Sequence, residues 1–378
     1  MDSATRALLH LSLIDGVGPA AIKHIVEACQ KSGLALDTLY EMGVSSVRSL
    51  GFSDRIAQAV SDGLKDQRLL DRECLLIEKH GVQIAIFGHE GYPAQLVHIP
   101  VPPPVLYYRG DLTNQQCLAI VGSRRGTAYA RTFIDRIMPD FKALNWHIVS
   151  GGAVGVDTMA HQSALAHDVT TTAVLGSGLL NPYPAHNTAL FDSIVAAGGA
   201  IVSPFALEVL PNKATFPARN RIIAGLSAGV VVVQAAERSG AHITAYHALE
   251  QGREVFAVPG PFNDPLSAGC HRLAQQGAKL ICNAQDILAE FGQQGPVQLT
   301  IAQAPKTSGQ RTMLTGLDSL SERVLEACKE PRAIDELAQE LAVDQQPLCA
   351  CLFDLQMRGL AEQNFAGLVQ RTASAFRN

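Results

Sequence analysis

The stretch Cys117-Leu118-Ala119-Ile120-Val121-Gly122-Ser123-Arg124 decides the fold, because it joins a continuous apolar run to a glycine turn. Seven further apolar runs of strand length recur along the chain, and helical patterns lie between most of them. The eight runs are Ile84–Phe87, Cys117–Val121, His147–Ser150, Thr171–Leu175, Ala200–Ser203, Gly229–Gln234, Glu254–Val258 and Lys279–Cys282. Near-continuous apolar strands separated by helices predict an α/β fold with a mostly parallel, doubly wound sheet. Ligands of such sheets bind beyond the carboxyl ends of the strands.

Shifts in pattern divide the 378 residues into four segments. Residues 1–66 predict short helices around the turn Gly16-Val17-Gly18-Pro19, which suggests a helix-hairpin-helix with Lys23 near a DNA phosphate. A small packing module is the favoured alternative, because acids and bases are about equal there. Residues 67–292 form the α/β core, and residues 293–312 lack periodicity and predict a linker. The helices, turn and wing of residues 313–378 predict a winged helix.

Composition limits the classes of function. The net charge of −5 argues against a wholly basic surface but allows a local nucleic-acid groove. The eight cysteines contain no Cys-x-x-Cys pair, which indicates reduced thiols rather than disulfides or zinc. We see no secretory signal pattern and no apolar run of the ~20 residues that span a bilayer. We therefore expect a cytoplasmic protein.

A basic stretch lies in the second half of the core. Lys213 is followed by Phe216-Pro217-Ala218-Arg219-Asn220-Arg221 and then by an apolar helical run, Ile222–Ser227. Helix N-termini attract anions, arginine grips phosphate with two donors, and an aromatic ring stacks on an unpaired base. The stretch therefore predicts a site for a phosphate and a base.

Glycine turns follow several of the predicted strands. Gly122, Ser123 and Arg124 form a candidate phosphate turn, whose alternative is an ordinary tight turn with a solvated arginine. Gly151 and Gly152 begin a second turn, which predicts a phosphate cradle or a close ligand contact. In this second turn Asp157 is a possible helix cap, and His161 is more typical of a structural residue than of a base. Gly176-Ser177-Gly178 adds a third turn.

A fourth candidate contact is Ser239-Gly240 with Thr244, at the start of a helical pattern. An anion contact and a plain helix cap are equally good interpretations. No P-loop and no metal-ligand spacing is present in the sequence. We therefore predict a binding protein with no catalytic residues, no metal and no cofactor.

Together these motifs resemble the DNA-processing protein A (DprA/Smf) family over about residues 70 to 290. The matching stretches are 121–124, 150–157 with Ala160-His161, 173–178 with Tyr183-Pro184, 216–227, Ser239-Gly240 with 243–245, and 255–260. The flanking segments look like the family's SAM- or helix-hairpin-helix-like N-terminal domain and its C-terminal winged helix. The resemblance implies an extended Rossmann-like core.

The resemblance also implies single-stranded DNA as the ligand. It implies protection of incoming strands in natural transformation, help in loading the recombinase RecA, and a homodimer through the core. By motif, Arg124 and Lys213 would hold phosphates and Phe216 would stack on a base. Arg219, Asn220 and Arg221 would complete the pocket, with Asn220 or Arg221 as possible structural residues.

Three positions depart from the family's pattern: Pro204 after Ser203, Gln234 at a strand end, and His271 near Gly269. The family commonly has acids at the first two and often asparagine at the third. The departures weaken the first alternative function, a Rossmann-like nucleotide (phosphoribo)hydrolase, more than they weaken DNA binding. A second alternative is an interaction scaffold that merely retains the pocket, which the basic stretch disfavours.

The predicted recognition helix of the winged helix, about Gln345 to Arg358, has poor electrostatics for DNA. Arg358 is its only base, and Asp354 lies on the same helix. Readers of the major groove need cations for phosphates and polar groups for base edges. We therefore predict that this domain mainly contacts protein or tunes the core.

Overall fold

The computed structural model describes residues 1–292, 319–358, 360–363 and 368–372. The chain forms two compact units, Met1–Val297 and Gln298–Asn378. The predicted linker, residues 293–312, lies outside the described residues. The finer domain boundaries stay predictions.

A nine-stranded sheet forms the centre of the first unit, in the order β1-β2-β6-β5-β4-β3-β7-β8-β9. Its strands are β1 Gln83–Ile86, β2 Val105–Gly110, β3 Cys117–Val121, β4 His147–Ser150, β5 Thr171–Val174, β6 Ala200–Ser203, β7 Gly229–Val232, β8 Glu254–Ala257 and β9 Lys279–Leu280. All pairings from β6 to β9 are parallel, and β2 pairs antiparallel with both β1 and β6. The predicted mostly parallel, Rossmann-like sheet is therefore confirmed.

Helices cover both faces of this sheet. They are α5 Gln67–His80, α6 Ala94–Val97, α7 Ala128–Ala143, α8 Val156–Ala166, α9 Thr188–Ala196, α10 Thr215–Leu226, α11 Ala241–Glu250, α12 Ala268–Gln275 and α13 Ala284–Leu288. Side chains alternate along β3: Ala119 packs with α10–α12, whereas Leu118 and Ile120 pack with α7, α8 and α13. Both faces of the central strands are buried, which explains their continuous apolar sequence.

The chain order reverses between β3 and β7. From β3 the strands β4, β5 and β6 follow on one side, and β7, β8 and β9 follow on the other. The loops after β3 and β7 therefore diverge at the carboxyl edge of the sheet and leave a crevice. Open α/β sheets bind their ligands at such a point.

The N-terminal helices share an apolar cluster with the sheet. They are α1 Ser3–Leu13, α2 Pro19–Lys31, α3 Val44–Ser49 and α4 Asp54–Gly63. Leu8 and Ile25 lie in one cluster with Tyr107 of β2 and Leu175. Lys23 donates a hydrogen bond to the carbonyl oxygen of Pro100 at 3.2 Å. These contacts favour the packing alternative for this segment over a phosphate-binding hairpin.

The second unit has its own apolar cluster. Its elements are α14 Ser319–Ala327, α15 Ile334–Leu341, α16 Gln345–Met357, β10 Ala361–Gln363 and β11 Val369–Arg371. Val324, Leu337 and Leu352 meet at the centre of the three helices, and the two strands pair antiparallel. The winged-helix assignment stays a prediction, since Gly359 and residues 365–367 of its expected turn and wing lie outside the described residues.

None of the helices in the described ranges is long and apolar enough to cross a membrane.

Candidate nucleic-acid interface

A cavity of about 540 Å³ lies in the crevice between the loops after β3 and β7, with α10 as its third wall. Ten of the thirteen predicted site residues line it. They are Gly122, Ser123, Arg124, Lys213, Phe216, Arg219, Asn220, Ser239, Gly240 and Thr244. Gly151, Gly152 and Arg221 are not among its lining residues.

Four exposed cations surround the mouth of the cavity: Arg124, Arg125, Lys213 and Arg238. Within the part of the chain that the structure describes, none of them pairs with a carboxylate. The prediction had missed Arg125 and Arg238, although each directly adjoins a predicted residue. The lining contains a single acid, Asp157, so the cavity is strongly positive in an acidic chain.

Phe216 lies between a cation and a second ring. The Arg124 guanidinium carbon is 5.6 Å from the centre of the Phe216 ring, and the Tyr183 ring is 5.8 Å away. The ring packs on the turn after β5, because a Cβ added at Gly176 would come within 2.7 Å of Phe216. The third glycine turn therefore positions the ring, which stays partly exposed to the cavity.

The basic stretch lies within α10 rather than before it, since the helix begins at Thr215. The side chain of Asn212 accepts hydrogen bonds from the backbone amides of Ala214 and Thr215, at 2.9 and 3.1 Å. These two amides already have an acceptor, so this helix terminus offers fewer free N–H groups to an anion than the sequence predicts. Cations and the ring dominate the cavity instead.

Arg219, which is predicted to complete the pocket, lines the cavity but is only 5% exposed. Its guanidinium donates hydrogen bonds to the carbonyl oxygens of Gly151 and Val174, at the ends of β4 and β5. Burial lowers the pKa of Arg219 to about 10, and the nearby Asp157 carboxyl partly opposes this shift. Arg219 therefore ties α10 to the sheet beneath the cavity.

Arg219 also orients Asn220. The Nε group of Arg219 donates a hydrogen bond to Oδ1 of Asn220 at 3.0 Å. Because that oxygen is the acceptor, the amide nitrogen of Asn220 keeps two donors for a ligand. Asn220 lines the cavity, so its predicted place in the pocket fits this geometry.

Gly151 and Gly152 are explained by packing, which corrects the predicted phosphate cradle. A Cβ at Gly151 would come within 2.6 Å of the Asp157 carboxylate and also meet Arg219. Gly152 has φ of +66°, and a Cβ there would lie 2.7 Å from Phe191. Both glycines are buried, and neither is among the residues that line the cavity.

Asp157 is not the cap of α8, because the N-cap is Gly155 and no side chain caps this helix. Its carboxylate instead accepts a hydrogen bond from the Ala153 amide at 3.3 Å. Burial raises the pKa of Asp157, although Arg219 opposes the shift. His161 is fully buried, with Nδ1 2.8 Å from the Thr171 hydroxyl, as expected for a structural residue.

Arg221 faces away from the cavity, which corrects its predicted place in the pocket. It lines a separate cavity with the Gly16–Pro19 turn and the loop at Phe205. Burial lowers the pKa of Arg221, and Tyr92 lies close enough to oppose the shift. Its role is therefore in the packing of the N-terminal helices.

The two serine hydroxyls of the lining accept hydrogen bonds from backbone amides. Ser123 Oγ accepts a hydrogen bond from the Arg125 amide at 3.0 Å. Ser239 Oγ accepts one from the Ala241 amide at 3.3 Å, which favours the helix-cap alternative at the start of α11. Each serine hydroxyl therefore keeps its own hydrogen as a donor for a ligand. Thr244 is only 2% exposed.

Two of the three departures from the family's pattern, Gln234 and His271, make local hydrogen bonds. Gln234 Oε1 accepts hydrogen bonds from the amide and hydroxyl of Thr127, at 2.9 and 3.2 Å. His271 Nε2 lies 3.0 Å from the carbonyl oxygen of Gly260. Pro204 follows Ser203, whose hydroxyl accepts a hydrogen bond from the Phe205 amide at 3.1 Å. Among the described residues, no cluster of His, Cys, Asp or Glu could hold a metal ion.

Comparisons with known proteins agree with the resemblance. The sequence pattern of the family described as DNA recombination-mediator protein A matches residues 83–292. DNA processing protein DprA of Bacillus subtilis is 41% identical over 225 residues, which are 59% of this chain and 75% of that protein. Protein Smf of Synechocystis sp. is 32% identical over 386 residues, with coverage of 93% and 95%.

A solved structure agrees as well. The X-ray structure of DNA processing protein A from Streptococcus pneumoniae superposes with a TM-score of 0.66 and 34% identity, over 77% of this chain and 98% of that one. The family pattern spans more than half of the described first unit and of the whole chain. The chain therefore belongs to the DNA recombination-mediator protein A family.

Proposed function

We propose that this chain binds single-stranded DNA in the cavity between the loops after β3 and β7. The observation that carries the proposal is the group of four exposed cations around the partly exposed Phe216 ring, none of which pairs with a carboxylate of the described residues. Cations that follow a backbone, together with a ring that stacks on bases, are typical of sequence-tolerant single-strand binding.

The placement of the ring supports single strands over duplexes. Phe216 lies inside the cavity, against the turn at Gly176 and beside Tyr183. Its partner must be a base that has left its stack, which is costly in a duplex and cheap in a single strand. A volume of about 540 Å³ suits a nucleotide rather than a double helix.

The wider role follows from the family. As a recombination mediator, the protein would protect incoming strands and help load RecA in natural transformation or homologous recombination. It would act as a homodimer through the core, in the cytoplasm. Formation of the homodimer and loading of RecA are separate from the binding of single-stranded DNA, and each needs its own assay.

The proposal includes no catalysis. Ser123 and Ser239 use their hydroxyl oxygens in backbone hydrogen bonds, and Gln234 replaces a possible acid. One observation favours the nucleotide hydrolase as a second candidate: Asp157 lines the cavity, and burial raises the pKa of its carboxyl. Release of free base from a nucleoside monophosphate would support that candidate.

Fluorescence anisotropy tests the proposal. The purified chain is titrated against a labelled oligothymidine and its duplex counterpart at two salt concentrations. We expect salt-sensitive binding that prefers the single strand. The control is Arg136→Ala, which removes an exposed cation of α7 away from the cavity lining. Equal binding of both forms of DNA, or no binding, would refute the proposal.

A further inference from the structure

Phe262 is a prominent aromatic side chain outside the cavity, with 92% of its surface exposed. It lies on the loop between β8 and α12. Hydrogen bonds within the loop hold it in shape: the Asp264 carboxylate accepts from the Leu266 amide at 2.9 Å and from the Ser267 hydroxyl at 3.2 Å. The ring is therefore presented to solvent by an ordered loop.

Single exposed apolar residues are common on proteins, so the position of Phe262 matters more than its exposure. Leu266 of the same loop lines the cavity, and its carbonyl oxygen accepts a hydrogen bond from the Ala235 amide at 2.7 Å. Three residues separate Leu266 from Phe262, so their Cα atoms lie within about 14 Å of each other. The loop is thus a direct extension of the cavity rim.

Arg125 and Tyr129 lie between the cavity and this loop. Arg125 is an exposed cation of the lining. Tyr129 follows on the first turn of α7, is 42% exposed, and donates a hydrogen bond from its hydroxyl to the Pro259 carbonyl oxygen. That bond joins the start of α7 to the loop after β8. Arg125 and the rings of Tyr129 and Phe262 therefore lie on two linked segments that both adjoin the cavity.

We propose that Phe262 is a second stacking platform for the DNA strand held in the cavity, with Arg125 and Tyr129 along the path between them. The inference rests on the proposed function and deepens it. The loop's own acid, Asp264, is held within the loop, because its oxygens accept hydrogen bonds from Leu266 and Ser267. A strand long enough to leave the cavity would meet both rings, whereas a short strand would meet Phe216 alone.

Strand length separates the two platforms. Oligothymidines of about 4 and about 16 nucleotides span the usual range of single-strand site sizes. Phe262→Ala should weaken binding of the long strand about fivefold to a hundredfold and leave the short strand unchanged. Phe216→Ala should weaken both. Leu75→Ala is the matched control, because Leu75 is an apolar side chain of α5 with 66% exposure.

A spectroscopic readout tests contact directly. The chain has a single tryptophan, Trp146, which is 2% exposed. In the Phe262→Trp variant, the long strand should quench the new fluorescence, since a stacked base lies against the indole. The Leu75→Trp variant should show no such quenching. Both changes are at exposed positions, and circular dichroism confirms that the variants fold.

The outcomes distinguish the two proposals. Tight binding of the long strand with no quenching in Phe262→Trp and no loss in Phe262→Ala would overturn this inference and leave the proposed function standing. That result would point to a protein partner for the ring. If neither the long nor the short strand binds the unaltered chain, this inference and the proposed function are both overturned.

Discussion

The salt dependence of binding reports how many cavity cations meet a phosphate. Arg124, Arg125, Lys213 and Arg238 are exposed and have no acidic partner among the described residues. Each phosphate contact on a single strand contributes a slope of about −0.7 in a plot of log K against log salt. Four contacts predict a slope of about −2.8, which is about a fiftyfold loss of affinity between about 50 and 200 mM salt.

Arg124→Ala removes one of these contacts and should reduce the slope to about −2.1. Anisotropy titrations with oligothymidine over a series of salt concentrations give both slopes. Arg136→Ala, an equal change of charge on α7, should keep the slope of the unaltered chain. An Arg124→Ala slope equal to that of the unaltered chain would mean that Arg124 touches no phosphate. A slope near zero before any substitution would refute the electrostatic reasoning as a whole.

Three further predictions concern the ring, the buried arginine and two histidines. Phe216→Ala should cost about 1–3 kcal/mol of single-strand affinity, measured by anisotropy, and an unchanged affinity would remove stacking from the account. Arg219→Ala should lower the free energy of unfolding by about 3 kcal/mol in denaturant titrations, because it leaves two buried carbonyl groups without their donor and removes the cation near the buried Asp157 carboxyl. An unchanged midpoint would contradict its structural role. Burial lowers the pKa of His147 to about 4 and of His161 to about 3, from 6.5. Both stay neutral in the folded chain but take up protons when unfolded, so the stability that they contribute is present above pH 6.5 and falls as the pH drops toward those values. Between pH 6 and 5 the two should together reduce the free energy of unfolding by about 2 kcal/mol, and a smaller pH dependence in His161→Gln would confirm the cause.

The sequence predicted the parallel strands well because their signal is local. The buried strands β3 and β4 have the predicted bounds, since continuous apolar runs ended by glycine or polar residues are distinctive. β2, Val105–Gly110, was missed. It follows a proline-rich segment and pairs antiparallel, so it lacks the strand–helix alternation on which the prediction relied. The prediction extends β7 to Gln234, whereas the strand ends at Val232. The side chain of Gln234 instead accepts a hydrogen bond from the Thr127 amide at the start of α7.

The site was predicted by residue type, and the errors came from helical phase. Residue type alone cannot tell an arginine that faces a cavity from one that faces the core. Once α10 is known to begin at Thr215, Phe216, Asn220 and Ile223 share one face of the helix, whereas Arg221 lies on another. The depth of Arg219 depends on the carbonyl groups of two distant strand ends, which no local pattern contains. Tertiary packing therefore determines both the burial of Arg219 and the direction in which Arg221 points.

The buried bonds of Arg219 have a consequence for the thermodynamics of strand capture. The guanidinium fixes the ends of β4 and β5, the helix α10 and the amide of Asn220 in one arrangement. The floor of the cavity is thus preorganised, and it loses no conformational entropy when a ligand arrives. The loss of conformational entropy falls instead on the DNA strand and on the flexible side chains at the mouth of the cavity. The mouth can adapt to any sequence of bases while the floor keeps its shape.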